Sequence, residues 1–387
     1  MRRDDFTIKA ADRNTSRIIN QRAIINYVYQ NNGVSKTELA RELGLSKPAV
    51  SQHVSRLISL DLIVEKGEGE ASKNGGRKPI MLYFNGSFRY IAAIDLSFHE
   101  PICAIGDMLY NFIGTEQIKI DRGATPEEKR EQVWRKFEKI MKEHNISTQE
   151  IGVVVISHPG IIDKNGEEYF SEEHHHVWTR IQLKQYLHEK FKVPIVVKND
   201  VNLAAIGEFN FNQKLGLRDL IYVSCGLGFG VGIIINDRLY EGRNNAAGEL
   251  GLTVQEDGKR VEETVALNGL MKAIKQIDKG NEKMTFGKII ELSKAEDPYV
   301  NRVLNENGRK IGRMIYNCCG ILDIQTVIFG GDYLKLGSQI IDGIETELKQ
   351  FLPFAPKLFL SDLKENAGLY GCFVVGKSKI LQELETV

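Results

Sequence analysis

Lys36 to Arg56 read KTELARELGLSKPAVSQHVSR, and this stretch decides the fold of the N-terminal part of the chain. Leu39, Ala40 and Leu43 share one face of a short helix, Gly44 permits a tight turn, and Leu45 seals the corner to a second helix that Ser46 can cap. Val50, Val54 and Leu57 recur at i, i+4, i+7 and turn inward, which leaves Lys47, Ser51, Gln52 and Ser55 outward. A row of amine, hydroxyl and amide groups suits the donor and acceptor pattern of a DNA major groove. The stretch is a candidate helix-turn-helix, with Lys36 and Arg56 as cations at its two ends, although an ordinary helical hairpin with a solvated face has the same periodicity.

The residues that follow favour DNA. Leu62 to Val64 is a short apolar run, KGEGEASKNGGRKP carries four glycines, and Ile80 to Phe84 is a second apolar run. Together they predict a β-hairpin with a long tip, the wing of a winged helix. Lys73, Arg77 and Lys78 flank Gly75 and Gly76, so the tip carries cations on backbone able to approach phosphates or a narrow minor groove. Charge is also unevenly spread: residues 1–90 hold 15 Lys+Arg against 9 Asp+Glu, and the remainder 36 against 42. A formal net charge of zero therefore conceals a basic head on an acidic body, the distribution that phosphate binding needs.

A chain of 387 residues with 42% hydrophobic content predicts two or three globular domains. It contains no run of 18 apolar residues, and Met1-Arg2-Arg3-Asp4-Asp5 leads into no apolar signal region, so the expected location is cytoplasmic. Cys103, Cys225, Cys318, Cys319 and Cys372 lie mostly in apolar segments without C-x-x-C spacing and read as small buried hydrophobes. From Tyr90 onward strands and helices alternate, which predicts an α/β body of two lobes with a ligand cleft between them. The expected domains are a winged helix over 1–88, a first lobe over 89–200 and a second over 201–387. The helix predicted over Ala367 to Leu384 returns to the first lobe.

Six motifs in order carry a family resemblance: GRKP at Gly76–Pro79, VVISHPGIID at Val154–Asp163, VKNDVNLAAIGE at Val197–Glu208, GLGFGVGIIIN at Gly226–Asn236, AAGELG at Ala246–Gly251 and VIFGGD at Val327–Asp332. The chain resembles the ROK family of repressors and sugar kinases over nearly its whole length. The resemblance implies an actin-like ATPase/hexokinase (ribonuclease H-like) body behind an N-terminal winged helix. It further implies a sugar site made by Gly160, Asn199, Asp200, Glu249 and Glu263, with Glu262 a one-residue alternative to Glu263. In the kinases, the aspartate at the position of Asp200 is the general base; here that residue also precedes a helix, where it can act as a cap. Gly248 and Gly251 are expected to let backbone approach the ligand closely.

Departures from the family pattern bear on chemistry. The early phosphate turn, expected as Asp-x-Gly-x-Thr, reads Asp95-Leu96-Ser97-Phe98-His99, and the second, expected as Gly-Thr-Gly, reads Gly226-Leu227-Gly228. Each lost charge-assisted contact is worth about 1.5–3 kcal/mol. Asp95, Ser97, Gly226, Gly228, Gly330 and Gly331 therefore define a degenerate nucleotide site, with no catalytic residue and no cofactor expected. Gly228, Gly230 and Gly232 are expected to serve tight strand packing. The family's zinc positions are also lost: the expected histidine is Leu252, and Thr253 to Glu263 contain neither Cys nor His. His174, His175 and His176 are consecutive, cannot all face one ion on regular structure, and read as a loop, so no metal is expected.

The resulting expectation is a transcriptional regulator, most simply a repressor, that binds a palindromic operator in double-stranded DNA as a homodimer or dimer of dimers and takes a sugar effector. Lys47, Ser51 and Gln52 would reach base edges, while Arg77 and Lys78 engage the minor groove or phosphates. The alternative is an ATP-dependent sugar kinase carrying a DNA-binding domain.

Overall fold

The computed structural model describes residues 13–31, 33–69, 78–97, 101–119, 123–170, 181–213, 216–277, 284–351 and 355–384. The chain divides into two compact units: one runs to Tyr90 and includes Asp107–Leu109 and the chain from Leu381, and the other holds Ile91–Gly106 and Tyr110–Ile380.

In the first unit, helix α1 (Arg13–Gln30) is followed by β1 (Val34–Ser35), α2 (Lys36–Glu42), α3 (Lys47–Ser59), β2 (Ile63–Glu68) and β3 (Ile80–Phe84). Ser35 caps α2 by accepting from the Glu38 amide at 3.1 Å, and Ser46 caps α3 by accepting from Ala49 at 3.3 Å. Gly44, at φ +64°, supplies the left-handed turn between them. The strands form an antiparallel sheet in the order β1-β3-β2. Leu39, Val50, Val54, Leu57, Leu62 and Leu82 are buried, and Tyr29 meets Phe84 edge-on at 5.6 Å. Helix α1 has weak apolar periodicity and was not expected from the sequence; it supplies Ile24 and Val28 to this core. Of the predicted wing tip, Lys73, Gly75, Gly76 and Arg77 lie outside the described residues.

The second unit begins with β4 (Tyr90–Asp95), β5 (Ile102–Gly106), β6 (Phe112–Gln117), α4 (Pro126–Glu143), β7 (Ile151–His158), the small hairpin β8 (Ile161–Ile162) and β9 (Glu168–Phe170), α5 (Leu183–Phe191) and β10 (Ile195–Asn199). Among the described residues the first sheet has the order β10-β7-β4-β5-β6, with β10 and β7 parallel and β5 antiparallel to both its neighbours. Helix α6 (Asp200–Phe211) leads to β11 (Leu220–Cys225), β12 (Phe229–Ile235) and β13 (Arg238–Leu239), then to helices α7 (Val261–Val265), α8 (Leu267–Ile277), α9 (Phe286–Lys294) and α10 (Pro298–Leu322). Next come β14 (Thr326–Gly330), α11 (Ser338–Phe351), β15 (Lys357–Leu360) and α12 (Ala367–Leu384). The second sheet has the order β13-β12-β11-β14-β15, with β11, β14 and β15 parallel. The central strands are buried on both faces, which is why they read as continuous apolar runs.

Two glycine contacts set the spacing of α6. A Cβ at Gly232 would lie 2.9 Å from the Val201 carbonyl, so α6 rides directly on β12. A Cβ at Gly371 would overlap the Leu203 carbonyl, and one at Gly207 the Ala367 carbonyl, so α6 and α12 cross with their backbones in contact. Helix α12 in turn packs Phe373 against Gly106 and Phe112 of the first sheet. The five cysteines are free, four of them buried and Cys318 half-buried. Among the described residues no helix is long and apolar enough to cross a membrane.

Candidate functional site

On α3, Lys47, Ser51, Gln52, Ser55 and Arg56 are exposed on the side opposite the buried valines. Ser46 is exposed but its hydroxyl is engaged as the cap of α3. Lys36, at the start of α2, pairs with Glu65 of the wing strand β2 at 3.0 Å, and Lys78 is exposed just before β3. Arg77 lies outside the described residues.

The second unit contains a cleft of about 740 Å³. Its walls come from the carboxyl ends of strands in both sheets: Asp95 at the end of β4, Gly160 after β7, Asn199 at the end of β10, Gly226 after β11 and Gly331 after β14. Open α/β sheets place ligands in such crevices because backbone groups there are unpaired and helix N-termini converge on them. Asn199 caps α6 by accepting from the Asn202 amide at 2.9 Å while its Nδ2 donates to the Gly160 carbonyl at 3.0 Å. This fixes the turn that presents Asp200. Asp200 itself opens α6, and burial, reinforced by the charges of Asp95 and Glu249, pushes its carboxyl up to about 8.

Asp95 is 2% exposed and accepts from the Ser97 amide at 3.0 Å, the Ser97 hydroxyl at 2.6 Å and the Ser157 hydroxyl at 2.9 Å. Burial raises its carboxyl despite those bonds. Glu249 follows the left-handed Gly248, at φ +88°, and burial followed by the Glu262 charge raises it to about 7. The close approach made by Gly248 and Gly251 is to strand β12 rather than to a ligand: Cβ atoms there would overlap the carbonyls of Val231 and Phe229. Those contacts hold Glu249 at the cleft wall.

Glu262 lines the cleft, whereas Glu263 does not; its Oε1 accepts from the Arg260 amide at 3.2 Å and closes the cap of α7. Val261 and Val265 are buried, and their i, i+4 spacing sets which of the two adjacent acids turns to the cleft. Sequence reading also passed over Ser157, Phe170, Tyr222, Asp332 and Lys335. Ser157 and Asp332 fall within the VVISHPGIID and VIFGGD motifs, and the other three gave no signal in the sequence.

The glycine turns have internal bonds. The Gly226 amide donates to the Gly228 carbonyl at 3.0 Å, and the Gly331 amide bonds the Tyr222 hydroxyl, whose acidity burial lowers strongly. Gly330 is closed off by Tyr222, since a Cβ there would strike that ring, while Gly331 faces the cleft. Gly230 and Gly232 pack against Val201 and Ala205, but a Cβ at Gly228 would meet only Glu262 Oε2, at 3.8 Å, so this glycine faces open space rather than a packed strand. Leu252 lines the cleft where the family pattern has histidine, and the residues at the family's zinc positions do not fit a zinc ion. Among the described residues no His, Cys, Asp and Glu cluster is arranged to hold a metal. Phe98, His99 and His174 to His176 lie outside the described residues.

Comparison with known proteins matches residues 91–379 to the ROK family and residues 19–64 to a winged helix-turn-helix DNA-binding family. A xylose repressor of Bacillus spizizenii is 28% identical over 87% of this chain and 88% of its own length. The transcriptional dual regulator NagC of Escherichia coli is 22% identical over 94% of this chain and 93% of its own. Among solved structures, a ROK family transcriptional regulator described as a homologue of the Escherichia coli Mlc protein superposes with a TM-score of 0.77, covering 96% of this chain and 98% of that one at 19% identity. A ROK glucokinase from Streptomyces griseus, in complex with glucose and AMPPNP, superposes at 0.64 and 21% identity, over 75% of this chain and 99% of that one. The chain belongs to the ROK family, with a winged helix-turn-helix ahead of the ROK body.

Proposed function

We propose that this protein is a DNA-binding transcriptional repressor whose ROK body takes a sugar as effector. The observation that carries the reading is the pairing, in one chain, of an exposed polar row on α3 with a cleft that presents Asn199, Asp200, Glu249 and Glu262 as polyol-gripping groups. Relatives named xylose repressors place aldopentoses first among effectors to test. The operator is palindromic double-stranded DNA, read by a homodimer or dimer of dimers through Lys47, Ser51 and Gln52 with support from Lys36, Arg56, Arg77 and Lys78. Sugar shifts the equilibrium between operator-bound and free arrangements by its differential affinity for the two.

Gln52→Ala should weaken operator binding about tenfold and relax preference at one base pair, as expected for one lost base-edge contact. Lys47→Ala should also relax preference at one base pair and, because it removes a cation, lower the slope of log affinity against log salt by about one. Both side chains are exposed, so unfolding free energies should stay within about 0.5 kcal/mol of wild type. Anisotropy titrations across salt concentrations check this; two unchanged titrations remove α3 from the DNA.

The same reading holds that no phosphoryl transfer occurs, and two features support it. The amide of the Gly226 turn is bonded within the turn, and Ser97 stands bonded to Asp95 where the kinase pattern has glycine. Protein incubated with ATP, magnesium and an aldose panel should release ADP only at the background rate. Sugar-dependent turnover would instead establish a DNA-tethered kinase.

A further inference from the structure

Helix α1 buries polar groups where its inward stripe should be apolar. Arg17 and Gln21 precede Ile24 and Val28 at i, i+4, i+7 and i+11, so all four lie on one face of the helix, and the two apolar members are in the core of the first unit. The Nε of Arg17 and the Nε2 of Gln21 are buried and have no hydrogen-bond partner. A buried donor left unmatched is destabilising, and an acceptor brought from outside relieves it.

The two residues line a pocket of about 50 Å³ within the first unit, together with Arg22 and Asn26 of α1 and Arg56 of α3. Three guanidiniums and two carboxamides therefore border it, while no carboxylate does, and leucine side chains make up much of the remaining wall. The space holds a few water-sized groups, the scale of a phosphate's oxygens. His53, half-buried on α3 beside Arg17, adds no competing cation: burial, and then the Arg17 guanidinium, hold its imidazole below the ordinary range.

We propose that this pocket is an oxyanion site, made by Arg17, Gln21 and Arg56, and that it takes one backbone phosphate of duplex DNA beside the row that reads bases. Residues along a helix step by about 100°, so Arg56 lies about 40° round α3 from Gln52, and it is itself exposed. The pocket thus borders the outward row of α3. A planar guanidinium matches phosphate oxygens in pairs, and a phosphate gripped from α1 and α3 together fixes the orientation of α3 on the duplex. The oxyanion chemistry stands on the pocket; its assignment to a duplex phosphate rests on the DNA-binding reading of this unit.

Anisotropy titrations of the full-length protein against a labelled duplex of arbitrary sequence, across salt concentrations, test the proposal. Arg17→Met should lower the slope of log affinity against log salt by about one. Gln21→Met removes a donor but no charge, so it should weaken binding about threefold or more with the slope unchanged. Neither variant should lower the unfolding midpoint in urea, because each removes an unmatched buried donor; a lower midpoint with unaltered DNA binding would make the pair structural. An unchanged slope in Arg17→Met beside a reduced one in Lys47→Ala overturns the duplex assignment and leaves α3 on the DNA, whereas wild type that binds no duplex removes the DNA reading itself. A second arm adds inorganic phosphate without DNA, at constant ionic strength against chloride. It should raise the urea midpoint of wild type and not that of Arg17→Met. That response with an unchanged duplex slope assigns the pocket to a free anion and overturns the backbone phosphate, and no response in either arm leaves water as the occupant and overturns the site.

Discussion

Asp200→Asn should lose at least 100-fold in sugar affinity at pH 8 and, without ligand, be more stable there than wild type. The two effects share one cause. The carboxyl is pushed up to about 8, against an ordinary value of 3.8, chiefly by burial. Folded protein therefore retains a proton that the unfolded chain releases above about pH 4, and stability falls as pH rises from about 4 to 8. Asparagine carries no such penalty, so the gain over wild type should be near zero at pH 4, grow through the interval and level off above pH 8, at no more than about 6 kcal/mol. Denaturant titrations at several pH values measure it.

Sugar hydroxyls donating to the ionised carboxylate favour the charged form, so binding releases protons and tightens between pH 6 and 8. The variant loses charge-assisted bonds worth about 1.5–3 kcal/mol each, and with them most of this pH dependence. Full sugar affinity in Asp200→Asn, or a stability difference that does not change with pH, would falsify the assignment.

The second large effect lies outside the cleft. Gly371→Ala should cost about 3 kcal/mol and Gly371→Val more than 4 kcal/mol, because the added carbon overlaps the Leu203 carbonyl and two helix backbones must separate. Helix α6 begins at Asp200, and α12 begins at Ala367 beside Gly368, whose own Cβ would strike Asp95. Parting the helices thus also moves cleft walls, and sugar affinity should fall with stability. Gly320→Ala is the control: in helix α10 a Cβ there meets nothing within 4 Å, so the change should be neutral or stabilise by up to about 1 kcal/mol. Equal responses at the two positions would mean that helix propensity, and not the crossing, governs the loss.

Much of this architecture was legible before any coordinates. Helix α4 carries its own start signal, Thr125-Pro126-Glu127-Glu128, realised as a capping box. The inward valines of α3 and the cap at Ser46 follow from local chemistry in the same way. Helix α1 did not announce itself, because its apolar residues form no clean stripe and its stability comes from packing Ile24 and Val28 on the other elements of its unit. The β8–β9 hairpin consists of strands too short to show alternation.

The sequence by itself carried the alternation of strands and helices, the ROK resemblance and the presence of Asn199, Asp200 and Glu249 in motifs, since propensity, period and motif spacing are written along the chain. Which acid of the Glu262–Glu263 pair faces the cleft, and which glycines serve helix crossings rather than a ligand, was decided only in three dimensions. Adjacent helical residues point about 100° apart, so burial of Val261 and Val265 selects Glu262. The proton affinities of Asp200 and Glu249 likewise come from burial and from neighbouring acids, Asp95 and Glu249 at Asp200 and Glu262 at Glu249, quantities created when the chain folds.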